Sequence, residues 1–283
     1  MTTVAKRLES LDWIMTADKD VADILPENNV SAKSINSIIW SHSHFDHIGD
    51  PSKFPASTSL VVGPGFKKKF LPGAPEDPEG IHSSAWEGRE LVEVAFDQNL
   101  KIGRFDAIDY FGDGSFYLLD SPGHLIGHIC ALARTTEDTF MLLGGDACHH
   151  GTEIRPSKYR PIPSVIYPSP YAAIDSDAFL SARSGCPGSV FQNEIHPSKS
   201  SREPFCRPSE DISHDLDEAV RSIEKLQELD ARENIFTVFA HDQSLFDIVD
   251  FFPNPANDWK AKGWKEKGFW RFLGEFKTSK SPS

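Results

Sequence analysis

Ser41-His42-Ser43-His44-Phe45-Asp46-His47 sets four potential metal ligands into six consecutive positions from His42. Imidazole nitrogen and carboxylate oxygen together suit zinc and neighbouring divalent metals. In an extended or tightly looped segment side chains alternate, so His42 and His44 project the same way. Asp46 and His47, just past them, can turn toward a second point. Several predicted strands end in short polar turns. Among them are Ser121-Pro122-Gly123-His124, Gly144-Gly145-Asp146 and His241-Asp242. Strand ends followed by glycine turns are where a rigid scaffold presents polar side chains to a cleft.

The remaining candidates are weaker. His82, His128, His196 and His214 have no motif around them and read as structural. Cys148, two residues past Asp146, reads as a small buried hydrophobe rather than a soft ligand. Asp50, Asp120 and Asp242 are candidates for orienting the ligand histidines, since such rings donate their other nitrogen to a carboxylate or carbonyl.

The elements that must position these groups are short strands and a few helices. Residues 17–30 look helical up to a break at Pro26. Ser37 to Trp40 is a β-prone run ending directly at Ser41-His42, and Leu60 to Val62 is another, followed by the turn Gly63-Pro64-Gly65. Further strands are predicted at Leu91 to Phe96, Phe105 to Phe111, Phe116 to Leu119, His128 to Arg134 and Thr139 to Leu143. Residues 151–212 carry most of the later prolines and read as a long irregular excursion, with a short helix near Ala172 to Ala182. Such a stretch serves as a lid or binding loop, or is a surface insertion. Leu216, Ala219, Val220, Ile223, Leu226 and Leu229 then repeat at helical spacing, with Ser213 as N-cap. Ile235 to Ala240 is a buried-type strand running into His241. Strands and helices in this order predict an α/β sandwich.

Composition narrows the partners. A hydrophobic fraction of 39% over 283 residues supports a sizeable core. The formal net charge of −13 argues against nucleic acid or an anionic membrane, both of which need a basic face. Four scattered cysteines without a CxxC pair, no secretory-type start and no long apolar run make an intracellular, cytoplasmic setting the default reading.

An H-x-H-x-D-H motif after an apolar strand resembles the signature of the metallo-β-lactamase superfamily. His124 lies 77 positions after His47, Asp146 another 22 on and His241 another 95 on, each where that fold presents a ligand. Within the superfamily the chain looks most like the dinuclear N-acyl-homoserine lactonases and their fungal lactamase-like relatives. The resemblance implies an αββα sandwich over residues 35–255, preceded by a segment 1–34 and followed by an aromatic and basic tail, 256–283, packing on the core. Only 41 residues precede His42 and they read as helical or irregular, so part of the first sheet is expected to be missing.

The same resemblance assigns His42, His44 and His124 to one zinc-type ion, Asp46, His47 and His241 to a second, and Asp146 to both. It implies a hydrolase that opens a small lactone or lactam by attack of a metal-bridging hydroxide, with Asp46 carrying a proton to the leaving group. The bacterial lactonases have a tyrosine three residues after the bridging aspartate. This chain has His149 there, followed by His150, and either can donate a hydrogen bond to the developing oxyanion. A thioester substrate, or a non-catalytic metal-binding relative, is the alternative.

Overall fold

A computed structural model of the chain describes residues 18–76, 80–172, 185–279 and 281. They fall into two compact units, Met1–Ala95 with Leu125–His128, and Phe96–His124 with Ile129–Ser283.

In the first unit helix α1, Val21–Glu27, opens on a reciprocal cap between Asp20 and Asp23. Pro26 lies inside it rather than breaking it, and the helix runs one residue further. Asn28 closes the end, its side-chain amide donating to the Ile24 carbonyl at 2.9 Å and its backbone N–H to that of Leu25. Strands β1 (Ser37–Ile39), β2 (Ser59–Val62) and β3 (Leu91–Glu93) form a parallel sheet in that order. Leu60 stands opposite Ile38 on one side and Leu91 on the other. Parallel strands need a crossover connection, and the β1–β2 connection is the one that carries the histidine-rich motif. Helix α2, Phe66–Phe70, starts at Gly65, whose φ of +85° a residue with a side chain rarely adopts. Trp40, Leu60, Val62, Phe66 and Ala85 make this unit's core.

The second unit is built on a six-stranded sheet, whose first three strands in the chain are β4 (Leu100–Ile102), β5 (Phe105–Asp109) and β6 (Phe116–Asp120). The chain continues into β7 (Ile129–Arg134) and β8 (Phe140–Leu143). A minor hairpin pairs β9 (Val165–Ile166) with β10 (Cys186–Pro187), and β11 is Ile235–Val238. The order across the large sheet is β11-β8-β7-β6-β5-β4, antiparallel except that β11 runs parallel to β8. Strand β4 was not anticipated, because its three residues lie between the turn residues Asn99 and Gly103, both at positive φ, and so read as loop. The expected helix near Ala172 to Ala182 lies almost wholly outside the described residues.

After the four-residue helix α3, Gly151–Ile154, the main helix is α4, Leu216–Asp230. Its N-cap is Asp215, whose carboxylate accepts from the Glu218 N–H, and not Ser213 as expected. An aspartate accepts that bond as well as a serine and adds charge at the positive end of the helix dipole. Ile223, Leu226 and Leu229 bury against Phe105, Ala107, Leu119, Cys130, Leu132 and Leu142. Each such side chain contributes roughly 1.5–3 kcal/mol when fully buried. Trp264, which opens helix α5 (Trp264–Gly268), lies against Phe236, and Phe269, Trp270, Phe272 and Leu273 join Phe191 and Phe205 in a second cluster.

Buried charges tie α4, β11 and the tail together. Arg155 grips Asp230 through two hydrogen bonds, Nε to Oδ2 at 2.8 Å and Nη2 to Oδ1 at 2.7 Å. Lys265 Nζ donates to the carbonyls of Asp230 and Arg232, at 2.6 and 2.7 Å, and to that of Ile235. Burial pulls the Lys265 ammonium down to about 8, with Asp230 opposing. Burial raises the Asp230 carboxyl, but Arg155 more than offsets this and holds it below the usual range.

Candidate metal centre

In the first unit the motif loop leaves β1 at Trp40. The Trp40 ring is buried, and its Nε1 donates to the Ile48 carbonyl at 3.0 Å, closing the loop that carries all four motif ligands. Within it the His47 N–H returns to the His44 carbonyl at 3.0 Å. The effect on the side chains is convergence. His42 Nε2 and His44 Nδ1 stand 3.0 Å apart, as the alternation predicted, and His47 Nε2 is 3.5 Å from Asp46 Oδ2. The His42 ring, buried, lies against those of His47 and His128. His128 is fully buried there.

In the second unit the sheet itself brings two ligands together. Parallel pairing sets Leu143 of β8 opposite Val238 of β11. Three residues further along each strand come Asp146 and His241, and the Ala240 N–H donates to the Gly145 carbonyl at 3.1 Å to hold that register. His124 comes from the β6–β7 connection, which α4 clamps. The N–H groups of His214 and Asp215 donate to the His124 and Gly123 carbonyls, each at 2.9 Å, and Ser222 Oγ donates to that of Pro122 at 2.7 Å.

One oxygen is the focus of this half. Asp146, buried, has its Oδ2 at 3.5 Å from His124 Nε2, 3.4 Å from His149 Nε2 and 3.3 Å from His241 Nε2. Charge-assisted N–H···O bonds close to about 2.7–2.9 Å, so these spacings are long for bonds made to the carboxylate itself. They do match ligand-to-ligand separations on a tetrahedral zinc ion, which bond lengths of about 2.1 Å put at about 3.4 Å. The donor set therefore fits a divalent ion. Openness differs along it: the His124 and Asp146 side chains are buried, whereas that of His241 is 42% exposed.

Two expectations need correction. His150 does not face the cluster. It caps α3, with Nδ1 2.7 Å from Thr152 Oγ1 and Nε2 3.1 Å from Glu275 Oε2. Asp50 and Asp242 cap local turns, each accepting from a serine two residues on, Ser52 and Ser244. Asp120 is half-buried, and burial pushes its carboxyl up against the pull of Lys225. Cys148 is wholly buried and its thiol is driven well up by burial, in keeping with a packing role. His196 is structural too: its Nε2 and the Glu203 carbonyl are 2.7 Å apart, and its Nδ1 accepts from Ser198 and Ser200 N–H.

The residue missed in the sequence is Glu153. Its Oε2 accepts the His149 backbone N–H at 2.9 Å and lies 3.9 Å from His149 Nδ1. An acidic residue in the first turn of α3, just past the His150 cap and able to reach back to a preceding backbone N–H, was the available signal.

Known proteins similar in sequence or fold are named for lactam and lactone chemistry. The γ-lactamase FDB1 of Fusarium pseudograminearum is 49% identical over 271 residues, covering 93% of this chain and 63% of its own length. The chain thus spans less than two thirds of that relative. The γ-lactamase MBL2 of Gibberella moniliformis is 50% identical over 214 residues, 73% of this chain and 86% of its own length. Among solved structures, an N-acyl homoserine lactone hydrolase with the product N-hexanoyl-L-homoserine at its catalytic metal centre superposes with a TM-score of 0.51. It is 19% identical and covers 85% of this chain and 69% of its own. No protein-family model matches the chain.

Proposed function

We propose, from the premise that this chain belongs to the metallo-β-lactamase superfamily and has its mixed α/β fold, that it is a metal-dependent hydrolase opening a five-membered cyclic amide or ester. The observation that carries this reading is the convergence of three imidazole nitrogens, those of His124, His149 and His241, on Asp146 Oδ2 within the second unit. The relatives named γ-lactamase support the amide, and the fold neighbour named for a homoserine lactone supports the ester. Both are five-membered rings with one electrophilic carbonyl.

In this reading the chain would hold two divalent ions, zinc by ligand type. As the family resemblance assigns them, His42, His44 and His124 would hold one, Asp46, His47 and His241 the other, and Asp146 both. Such ions supply Lewis acidity toward the carbonyl and lower the pKa of a water. The chain's own groups do the rest. Asp46, whose side chain is 29% exposed and 3.5 Å from His47 Nε2, is open enough to pass a proton to the departing ring nitrogen or oxygen. His149 is the second residue assigned to the reaction, since its Nε2 shares the Asp146 corner with His241, where the reacting oxygen would gain charge. The buried His124 and Asp146 keep bulk water from one side of the Asp146 corner.

Metal analysis of the purified chain, combined with a γ-lactam, γ-lactone and thioester panel, tests the reading. Bound divalent metal with ring opening is the expected result. Release of free thiol without ring opening would move the substrate to thioesters, and a chain that binds no metal and opens no ring refutes the proposal.

A further inference from the structure

We infer that His149 is itself a metal ligand, sharing the ion assigned to Asp146 and His241, and that Glu153 is the positioning residue that aims it. This rests on the dinuclear reading above, adds an eighth side chain to it and replaces the oxyanion-donor role given there to His149.

The geometry treats His149 as it treats the assigned ligands. Its Nε2 stands 3.4 Å from Asp146 Oδ2, between the 3.3 Å of His241 and the 3.5 Å of His124. The ligand atoms of Asp146, His149 and His241 all lie within 4.8 Å of one another. The His149 and His241 rings are stacked with planes 15° apart and centroids at 5.4 Å, so the two imidazoles present matching edges. A hydrogen-bond donor needed only for a substrate oxygen would not have to be held against the shared carboxylate.

Glu153 stands on the Nδ1 side of the His149 ring, away from the cluster, and is bonded to the His149 backbone. The Glu153 carboxylate is buried, accepts the His149 N–H at 2.9 Å and covers the Nδ1 side at 3.9 Å. A carboxylate behind a ligating imidazole favours the proton on the far nitrogen and leaves the near lone pair for the metal. His150, next in the chain, is turned away by Thr152 and Glu275, so the role falls to His149 alone of the pair.

Cobalt(II) titration of the full chain separates this from a donor role, with visible absorption and bound-metal stoichiometry as readouts. His149→Gln should weaken one of the two cobalt sites 10- to 100-fold, roughly the range seen when a metal site's supporting shell is cut, and shift the d–d bands. His149→Tyr keeps a hydrogen-bond donor but removes the imidazole, so it should show the same spectral shift. Glu153→Gln should weaken the same site by a smaller factor. Melting of the metal-free variants checks that each folds, and if His149→Gln does not, the other two substitutions carry the same readout. Wild-type affinity and spectrum in His149→Tyr and Glu153→Gln would overturn the inference while leaving the dinuclear reading intact. A wild-type chain that takes up no cobalt would sink both.

Discussion

Two buried aspartates in the second unit are each 3% exposed, and they are answered in opposite ways. Asp230 sits in the fork of Arg155, with two hydrogen bonds of 2.7 and 2.8 Å and Lys265 beside it. Asp146 is met by three imidazoles at 3.3–3.5 Å. A buried carboxylate needs a compensating charge. Asp230 finds a permanent one in a guanidinium, whose distances are those of finished bonds. Around Asp146 stand imidazoles, a side chain with no permanent charge, at distances that suit a shared ion. Equal burial therefore marks a strut in one place and, in the proposed reading, a receptor for a cation in the other.

The comparison breaks most sharply on Asp146→Asn. Removing the shared carboxylate should abolish binding of one or both ions and lower kcat/KM for ring opening by at least about 1000-fold, some 4 kcal/mol of barrier. The metal-free chain should lose no stability in urea, because the uncompensated charge goes with the carboxylate. Metal analysis and urea titration on one preparation decide it, and a variant that loses stability but keeps its metal would put Asp146 with the struts.

Asp230→Asn should behave in the reverse sense. It leaves Arg155 buried with half a partner, and breaking a buried pair from one side costs about 3–5 kcal/mol. Denaturation midpoints should fall accordingly, whereas the folded fraction should bind metal with wild-type affinity. A loss of metal affinity without a loss of stability would erase the distinction between the two aspartates.

Much of the Asp146 side was legible in the sequence, and almost none of the Asp230 side was. His42 to His47 declare themselves by spacing, and Asp146 and His241 by standing at the ends of apolar strands. Strand periodicity carries that information because it is local. Arg155, Asp230 and Lys265 are 75 and 35 residues apart along the chain, and their pairing exists only once α4, α5 and β11 pack. Glu153 was overlooked because an acidic residue on a four-residue helix looks like any solvated charge until the helix is seen to be buried. The cap of α4 was read two residues early, since serine and aspartate both serve and only the backbone decides.

Gly123 sharpens the comparison at the level of positioning. Its φ is +125°, and a Cβ there would meet the Ala219 nitrogen at 2.1 Å. The turn presenting His124 is thus pressed against the first turn of α4, the same helix that ends in Asp230. Gly123→Ala forces either turn or helix to shift. Backbone strain of this kind costs about 1–3 kcal/mol, and a displaced His124 should weaken metal binding as well. It is the one substitution here expected to lower both stability and metal affinity, and an unchanged affinity would show that His124 tolerates a moved turn.

The smallest effect lies in the pH dependence of the Asp230 side. The Lys265 ammonium titrates at about 8 when folded, against 10.5 for an ordinary lysine. Below 8 both folded and unfolded chains hold the proton, and the folded state bears the full cost of a buried charge. Between 8 and 10.5 the unfolded chain binds a proton that the folded chain has released, so this residue's contribution to stability rises with pH across that window. Lys265→Met removes the titration and leaves the carbonyls of Asp230, Arg232 and Ile235 short of a donor, at a cost of about 1–3 kcal/mol. The stability gap between wild type and Lys265→Met, measured in urea at several pH values from 7.5 to 9.5, should therefore widen as pH rises. A gap that narrows would mean that the three carbonyls favour the ammonium more than burial disfavours it, and that Asp230's surroundings are a net source of positive charge at every pH where the protein folds.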